Sequence, residues 1–92
     1  MRLGAWRATL VTAWNPRSRR MPEGWNRRMQ ARLRQRLRRC TVIEAKGSLG
    51  GWHEAMLLVA GDPRPVVRFA VRFRQRAVVV LYRDASARLR LL

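Results

Sequence analysis

Apolar stretches along the chain alternate with polar segments that contain proline or glycine. The first stretch, Arg7 to Trp14, is rich in Thr and Val and stops at Asn15-Pro16, which is typical of the end of a β-strand. Later stretches have a similar apolar character. The strands predicted after the first are Thr41 to Ala45, Trp52 to Ala60 and Val78 to Tyr82, with an additional terminal strand expected at Ala87 to Leu92.

Two other segments have the periodicity of amphipathic helices. From Glu23 to about Arg39, apolar residues recur every four positions, and Pro22 and Glu23 suit the first turn of a helix. The apolar stripe of this helix consists of Trp25, Met29, Leu33 and Leu37, with Cys40 extending it as a small apolar residue. A second helix is predicted from about Pro65 to Gln75, with Val66, Phe69, Ala70 and Phe73 facing inward.

The predicted order is β-α-β-β-α-β, which is the ferredoxin-like split βαβ arrangement of an α+β protein. Right-handed crossovers would place the third strand antiparallel between the first two, with both helices on one sheet face. Lys46 to Gly51 is predicted to be a flexible hairpin loop. Residues 1–92 are expected to form a single domain, whose second sheet face is left for solvent or a partner.

This topology brings polar residues that are distant in sequence to one edge of the sheet. The candidate polar site consists of Asn15, Asn26, Glu54 and Gln75, and Trp14, Gly47, Trp52 and Arg76 map to the same edge. Structural interpretations are an Asx turn before Pro16, capping of the first helix, and a pairing of Glu54 with Arg76 or an amide. The alternative is a pocket lined by these side chains. No second carboxylate or nucleophile is predicted to accompany Glu54, which argues against a general base.

These residues also carry a resemblance. The chain resembles the bacterial family called domain of unknown function 3293 over nearly its whole length. The matching pieces are Thr12-Ala13-Trp14-Asn15-Pro16, Asn26 with Leu33 and Leu37, Gly47 with Trp52 and Glu54 leading into Met56-Leu57-Leu58-Val59, and Phe73-x-Gln75-x-Ala77. The chain departs from the pattern at Arg74 and Arg76, where glycine and asparagine are frequent, and at Met21, where a Ser or Thr cap is usual. The resemblance implies a fold and a set of motifs but no activity.

The net charge of +16 comes from twenty arginines and the single Lys46 against five acidic residues. A GC-rich genome would favour Arg over Lys, but it would not produce this excess of positive charge. The residues expected to contact phosphates are Arg27, Arg28, Arg34 and Arg38 on the first helix and the four-spaced row Arg64, Arg68, Arg72 and Arg76 on the second. Such a surface favours salt-sensitive, largely sequence-independent binding to RNA or DNA.

Several other classes of site find no support in the sequence. Cys40 is the only cysteine and His53 the only histidine, so neither an internal disulfide nor a metal site is expected, and no cofactor motif is present. No apolar run approaches the ~18 residues of a membrane-spanning helix. A cytoplasmic protein is therefore expected.

The leading hypothesis is a non-enzymatic protein whose arginine-rich helical face binds RNA or DNA phosphates. A second hypothesis is a small-ligand or catalytic site at the sheet edge, formed by Asn15, Asn26, Glu54 and Gln75. A third is a structural or partner-binding role. The wholly apolar run from Val78 to Leu81 suggests burial on both sides of the sheet, as in a homodimer.

Overall fold

A computed structural model describes residues 7–49, 52–84 and 86–92. This part of the chain forms one five-stranded antiparallel sheet with two α-helices and a short 3-10 turn at Pro16–Ser18. The strands are β1 (Arg7–Val11), β2 (Val42–Leu49), β3 (Trp52–Ala60), β4 (Ala77–Tyr82) and β5 (Ala87–Leu91), and the helices are α1 (Glu23–Arg36) and α2 (Pro63–Arg72).

The strands lie in the order β2-β3-β1-β4-β5, and each neighbouring pair is antiparallel. The third strand therefore lies between the first two, as right-handed crossovers require. This order confirms the predicted ferredoxin-like α+β arrangement, and β5 adds the expected terminal strand at the edge next to β4.

A single hydrophobic core fills the space between the sheet and the helices. Leu33 and Leu37 from the α1 region and Val66 and Ala70 from α2 are fully buried there. They pack with strand residues that share one sheet face, which are Val11, Leu57, Val59 and Val78. Both helices therefore cover the same face, as the apolar stripes predicted.

The second helix begins and ends earlier than its sequence pattern indicated. It starts at Pro63 because the Asp62 side chain caps it by accepting a hydrogen bond from the Arg64 backbone N–H at 3.0 Å. It ends at Arg72 because Arg74 adopts a left-handed conformation with φ 58°. The four-spaced arginine row was therefore wrong at Arg76, which lies beyond the helix.

The turn that ends α2 is a Schellman motif. The Gln75 N–H donates to the Ala70 carbonyl at 3.0 Å, and the Arg74 N–H donates to the Val71 carbonyl at 3.0 Å. Glycine is the usual residue at the left-handed position, since a Cβ there costs about 1–2 kcal/mol. This geometry explains why glycine suits the position of Arg74 in the family pattern.

Two further boundaries differ from the sequence prediction. The hairpin strand β2 continues through Leu49, with Lys46 opposite Ala55 and Gly47 opposite Glu54. The prediction that a flexible loop begins at Lys46 was therefore wrong. The hydrogen-bonded ladder between β2 and β3 therefore extends into the predicted loop. Gly50 and Gly51, at the end of that loop, lie outside the described residues. Helix α1 ends at Arg36 instead of Arg39, and Cys40 beyond it is exposed and does not extend the apolar stripe.

Two buried side-chain polar atoms have no hydrogen-bond partner among the described residues, Thr9 Oγ1 in the core and Trp14 Nε1 at the sheet edge. Thr9 is fully buried on the helix-facing side of β1, opposite Val59 and Val80, and its hydroxyl makes no hydrogen bond. An unsatisfied buried hydroxyl costs about 1–3 kcal/mol.

Thr9→Val should therefore raise the free energy of unfolding by about 1 kcal/mol, since it replaces an unpaired hydroxyl by a methyl of similar shape. Thr12→Val is the matched control, because the Thr12 hydroxyl donates to the Ala55 carbonyl at 2.7 Å. Chemical denaturation should show stabilisation by the first change and destabilisation by the second. Equal losses from both would contradict this assignment.

Arg74→Gly should stabilise the protein by about 1 kcal/mol, because glycine adopts the left-handed conformation without the Cβ penalty. Arg68→Gly, on the exposed side of α2, removes the same charge but should destabilise by about 1 kcal/mol through loss of helix propensity. Urea unfolding of the two variants separates conformation from charge. A stabilisation of both would show that relief of charge repulsion dominates instead.

Candidate functional site

The polar residues predicted to converge at the sheet edge do lie together. Asn15 follows the end of β1 in a left-handed conformation with φ 46° and ψ 63°, immediately before Pro16. Asparagine tolerates this conformation better than most residues. It turns the chain sharply, so that the Asn15 side chain points back towards the start of α1.

Asn15 and Asn26 are buried and bonded to each other twice. The Asn15 backbone N–H donates to Asn26 Oδ1 at 2.9 Å, and Asn26 Nδ2 donates to Asn15 Oδ1 at 2.9 Å. Met21 closes the group: its N–H donates to Asn15 Oδ1 at 2.9 Å, and its carbonyl accepts from Asn26 Nδ2 at 3.2 Å. These bonds hold the chain between β1 and α1 in a fixed turn.

Glu54 and Gln75 connect this turn to the rest of the sheet edge. Asn15 Nδ2 donates to Glu54 Oε1 at 3.1 Å, which is the amide partner considered for this carboxylate. Gln75 Nε2 donates to the Trp14 carbonyl at 3.1 Å and to the Phe73 carbonyl at 3.3 Å. All four predicted polar residues are thus brought together, and we call Asn15, Asn26, Glu54 and Gln75 the edge cluster. The Trp52 side chain, which was predicted nearby, lies outside the described part of the structure.

Gln30 is a further member of this region that the sequence analysis did not single out. Its Oε1 accepts the Ala13 N–H at 2.7 Å, and its Nε2 donates to the Ala55 carbonyl at 2.9 Å. It thereby bridges β1 and β3 from α1. Its position in the sequence could have indicated this role, since Gln30 follows Asn26 by four residues and borders the apolar stripe of the helix.

Most of the hydrogen-bond donors and acceptors of the edge cluster are paired within the fold. Both Nδ2 hydrogens of Asn26 are donated, and Asn15 Oδ1 accepts two hydrogen bonds. The neighbouring 3-10 turn is fixed as well, because the Arg17 N–H donates to the Arg74 carbonyl at 2.7 Å. An open cleft of about 450 Å³ is lined by Asn15 and Asn26 of the cluster, together with residues from Trp14 to Glu23. The chemistry of the cluster is that of a structural clamp joining β1, β3 and both helices.

A larger groove lies between α1 and α2. Its volume is about 600 Å³, and its floor and walls include four half-buried apolar side chains, Trp25, Met29, Phe69 and Phe73. Five arginines line it as well, namely Arg32, Arg36, Arg38, Arg72 and Arg74. We call this feature the interhelical groove. It combines an apolar, partly aromatic surface with five positive charges.

The interhelical groove includes only two of the eight arginines that were predicted to bind phosphate, Arg38 and Arg72. Three of the other six form ion pairs with carboxylates. The pairs are Arg27 with Glu23 at 2.7 Å, Arg34 with Glu44, and Arg64 with Asp62 at 2.8 Å. Arg28 and Arg68 are exposed on the helices, and Arg76 follows α2.

Asp62 is strongly tied to its arginine. The hydrogen bonds from the Arg64 side chain and backbone hold the pKa of Asp62 at about 2, below its usual value of 3.8. The charge of this carboxylate therefore persists well into the acid range. Arg64 is therefore engaged at the start of α2 and lies outside the lining of the interhelical groove.

Comparison with known families identifies the fold's relatives. The model of the family described as "Protein of unknown function (DUF3293)" matches residues 11–78, which include the edge cluster and all the lining residues of the interhelical groove. The chain belongs to this family. No curated protein and no solved structure matched significantly. The match to DUF3293 thus assigns a family and leaves the activity to be argued from the geometry.

Two other searches of the described residues gave no site. None of their His, Cys, Asp and Glu side chains form a group of three or more that could hold a metal ion. No helix within those same residues is both long and apolar enough to cross a membrane. The interhelical groove and the edge cluster are the features of the described residues that bear on the hypotheses drawn from the sequence.

Asn15→Ala should lower the free energy of unfolding by about 3 kcal/mol. It leaves the buried hydrogen-bond partners of Asn15 unsatisfied, and alanine has no polar side chain to compensate for the backbone strain at φ 46°. Asn15→Gly loses the same hydrogen bonds but relieves the backbone strain, so its loss should be smaller, about 2 kcal/mol. Both values are measured by chemical denaturation. Wild-type stability of Asn15→Ala would show that the clamp contributes nothing.

Proposed function

We propose that this DUF3293 protein is a non-enzymatic nucleic-acid-binding module that holds RNA or DNA phosphates in the interhelical groove. The observation that carries the proposal is the set of five arginines lining the groove around an apolar floor. Anionic phosphates are the most abundant ligands for such a surface, and their binding releases counterions from the nucleic acid.

The charge balance of the helical layer supports this proposal. Three acidic side chains are paired with arginines at its borders, whereas the groove lining contains five arginines and no acidic residue among the described residues. Helix directions distribute the charges along the groove. Arg36 ends α1 and Arg72 ends α2, and the two helices run in opposite directions, so positive charge lies towards both ends of the groove.

The groove floor favours an unpaired strand. Trp25, Phe69 and Phe73 are half-buried and present aromatic surface beside the arginines. Single-stranded nucleic acids bind such surfaces through base stacking combined with cationic contacts to the backbone, and a base stacked on an aromatic ring contributes about 1–3 kcal/mol. A duplex cannot present its bases to the floor without unpairing.

The edge cluster has a supporting role in this proposal. Its hydrogen bonds fix the ends of α1 and α2 relative to β1, because Asn26 lies in the first turns of α1 and Gln75 follows α2. These are the helices that form the groove. The cluster therefore sets the distance between the two rows of arginines without contacting the nucleic acid.

Arg36→Gln combined with Arg72→Gln should reduce the slope of log K against log salt by roughly 1.4 for a single-stranded oligonucleotide, about 0.7 per lost phosphate contact. Fluorescence anisotropy with a labelled homopolymer, titrated at several salt concentrations, measures the slope. A single strand should also compete better than a duplex of equal length.

Arg83→Gln combined with Arg90→Gln is the matched control, because these arginines lie in the β4–β5 turn and on β5, outside the groove lining. Both double variants lose two positive charges. If they lowered the salt slope equally, the binding would reflect net charge alone and not the groove. A salt slope near zero for the wild-type protein would exclude phosphate binding altogether.

A further inference from the structure

The face of the sheet opposite the helices is apolar in every strand. The β-ladder register assigns its residues, because paired residues point to the same side of a sheet. The residues on this face are Ala8 and Leu10 of β1, Ile43 and Ala45 of β2, Met56, Leu58 and Ala60 of β3, Ala77, Val79 and Leu81 of β4, and Ala87, Leu89 and Leu91 of β5. We call this set the open face.

Among the described residues, no helix covers the open face. Its side chains are most accessible on the two edge strands, whereas Ala8 of β1 is buried. Ile43 is 61% exposed, Leu89 is 67% exposed and Leu91 is 78% exposed, on the two edge strands. Leu58 and Val79 near the centre are half-buried, through contacts with neighbouring strands. A sheet with one solvated face normally alternates apolar and polar residues, so an apolar second face indicates a second buried surface.

The cationic residues of the described strands lie on the opposite side of the sheet. Arg7, Lys46, Arg88 and Arg90 pair with Tyr82, Ala55, Val80 and Val78, which lie on the helix-facing side. Among the described strand residues, Glu54 is the one charged residue in register with the open face. It lies opposite Gly47 near the start of β3 and accepts a hydrogen bond from Asn15 in the edge cluster. The described part of the open face thus carries no cation in a protein of net charge +16.

We infer that the open face is the interface between two copies of this chain. Two copies can stack sheet on sheet about 10 Å apart, with their helical layers and arginines outward on opposite sides. This is the relative orientation that separates the positive charges of the two copies most. An isologous contact also needs a patch that complements itself, and an uncharged apolar surface does so without pairing charges.

The size of the open face is compatible with a reversible dimer. Five strands about 4.8 Å apart and about six residues long give a flat footprint of roughly 24 Å by 20 Å, or roughly 480 Å² per copy. Two footprints together give roughly 960 Å², which lies at the low end of protein interfaces, in the range of weak and transient contacts. A dimer of low affinity is therefore expected, which dissociates on dilution.

Other occupants fit the open face less well. An acidic partner would bind the arginine-rich helical layer, where the charge lies. A membrane surface attracts apolar faces bordered by Lys and Arg, but the strand cations of this chain point away from the open face. The dimer is independent of nucleic-acid binding, and it would place one interhelical groove on each outer side.

Ile43→Lys combined with Leu89→Lys tests the interface, since both side chains are exposed in one copy and would be buried by the second. Sedimentation equilibrium from micromolar to submillimolar protein should give a mass approaching twice the monomer mass for the wild type and the monomer mass for the variant. Ala31→Lys combined with Val71→Lys adds the same two charges to exposed positions of the helices and should leave the dimer intact.

The folded state of each variant is checked by circular dichroism, and Leu89→Glu serves as a second interface variant of opposite charge. A wild-type protein that stays monomeric throughout the concentration range would overturn the inference. So would a dimer that both pairs of lysine substitutions weaken equally. Binding of a monomeric wild type to anionic lipid vesicles, lost in Ile43→Lys with Leu89→Lys, would assign the open face to a membrane surface instead.

Discussion

Repulsion among twenty-one basic side chains is the constraint on which the rest of this structure depends. A single core of this size has little stability to spare, and a net charge of +16 lowers it further. The fold places the hydrophobic core and the basic side chains in different parts of the molecule. The core forms between the helices and one sheet face, the open face stays free of cations, and the arginines spread over the helical layer. Five of these arginines line the interhelical groove.

The edge cluster makes this separation possible by fixing the helices. Asn15 combines a left-handed backbone with a side chain that bonds Asn26 of α1 and Glu54 of β3. Gln75 performs the equivalent task after α2, by donating to the Trp14 carbonyl. These contacts connect all the elements that define the interhelical groove. The hydrogen bonds of the edge cluster thus connect the elements of the fold, while the arginines of the groove supply the proposed binding.

The sequence was sufficient to predict the fold and the convergence of the edge cluster, because apolar periodicity and strand order determine which ends meet. The hydrogen-bond partners of Asn15 were not predictable, since they depend on its φ and ψ angles. The role of Gln30 was missed for the same reason. The groove arginines differ from the predicted rows because the rotation of each helix about its axis decides which side chains face the other helix. Arg32 and Arg36, which border the stripe of α1, face the groove, whereas Arg27 and Arg34 are held by carboxylates.

The central claim is that nucleic acid occupies the interhelical groove, and NMR mapping tests it most directly. A titration of ¹⁵N-labelled protein with a short single-stranded oligonucleotide should shift the Trp25 indole resonance and the amides near Phe69 and Arg72. The amides of Ile43 and Leu89 on the open face should stay unchanged. Shifts spread evenly over all arginine-bearing surfaces, or confined to the edge cluster, would contradict the account.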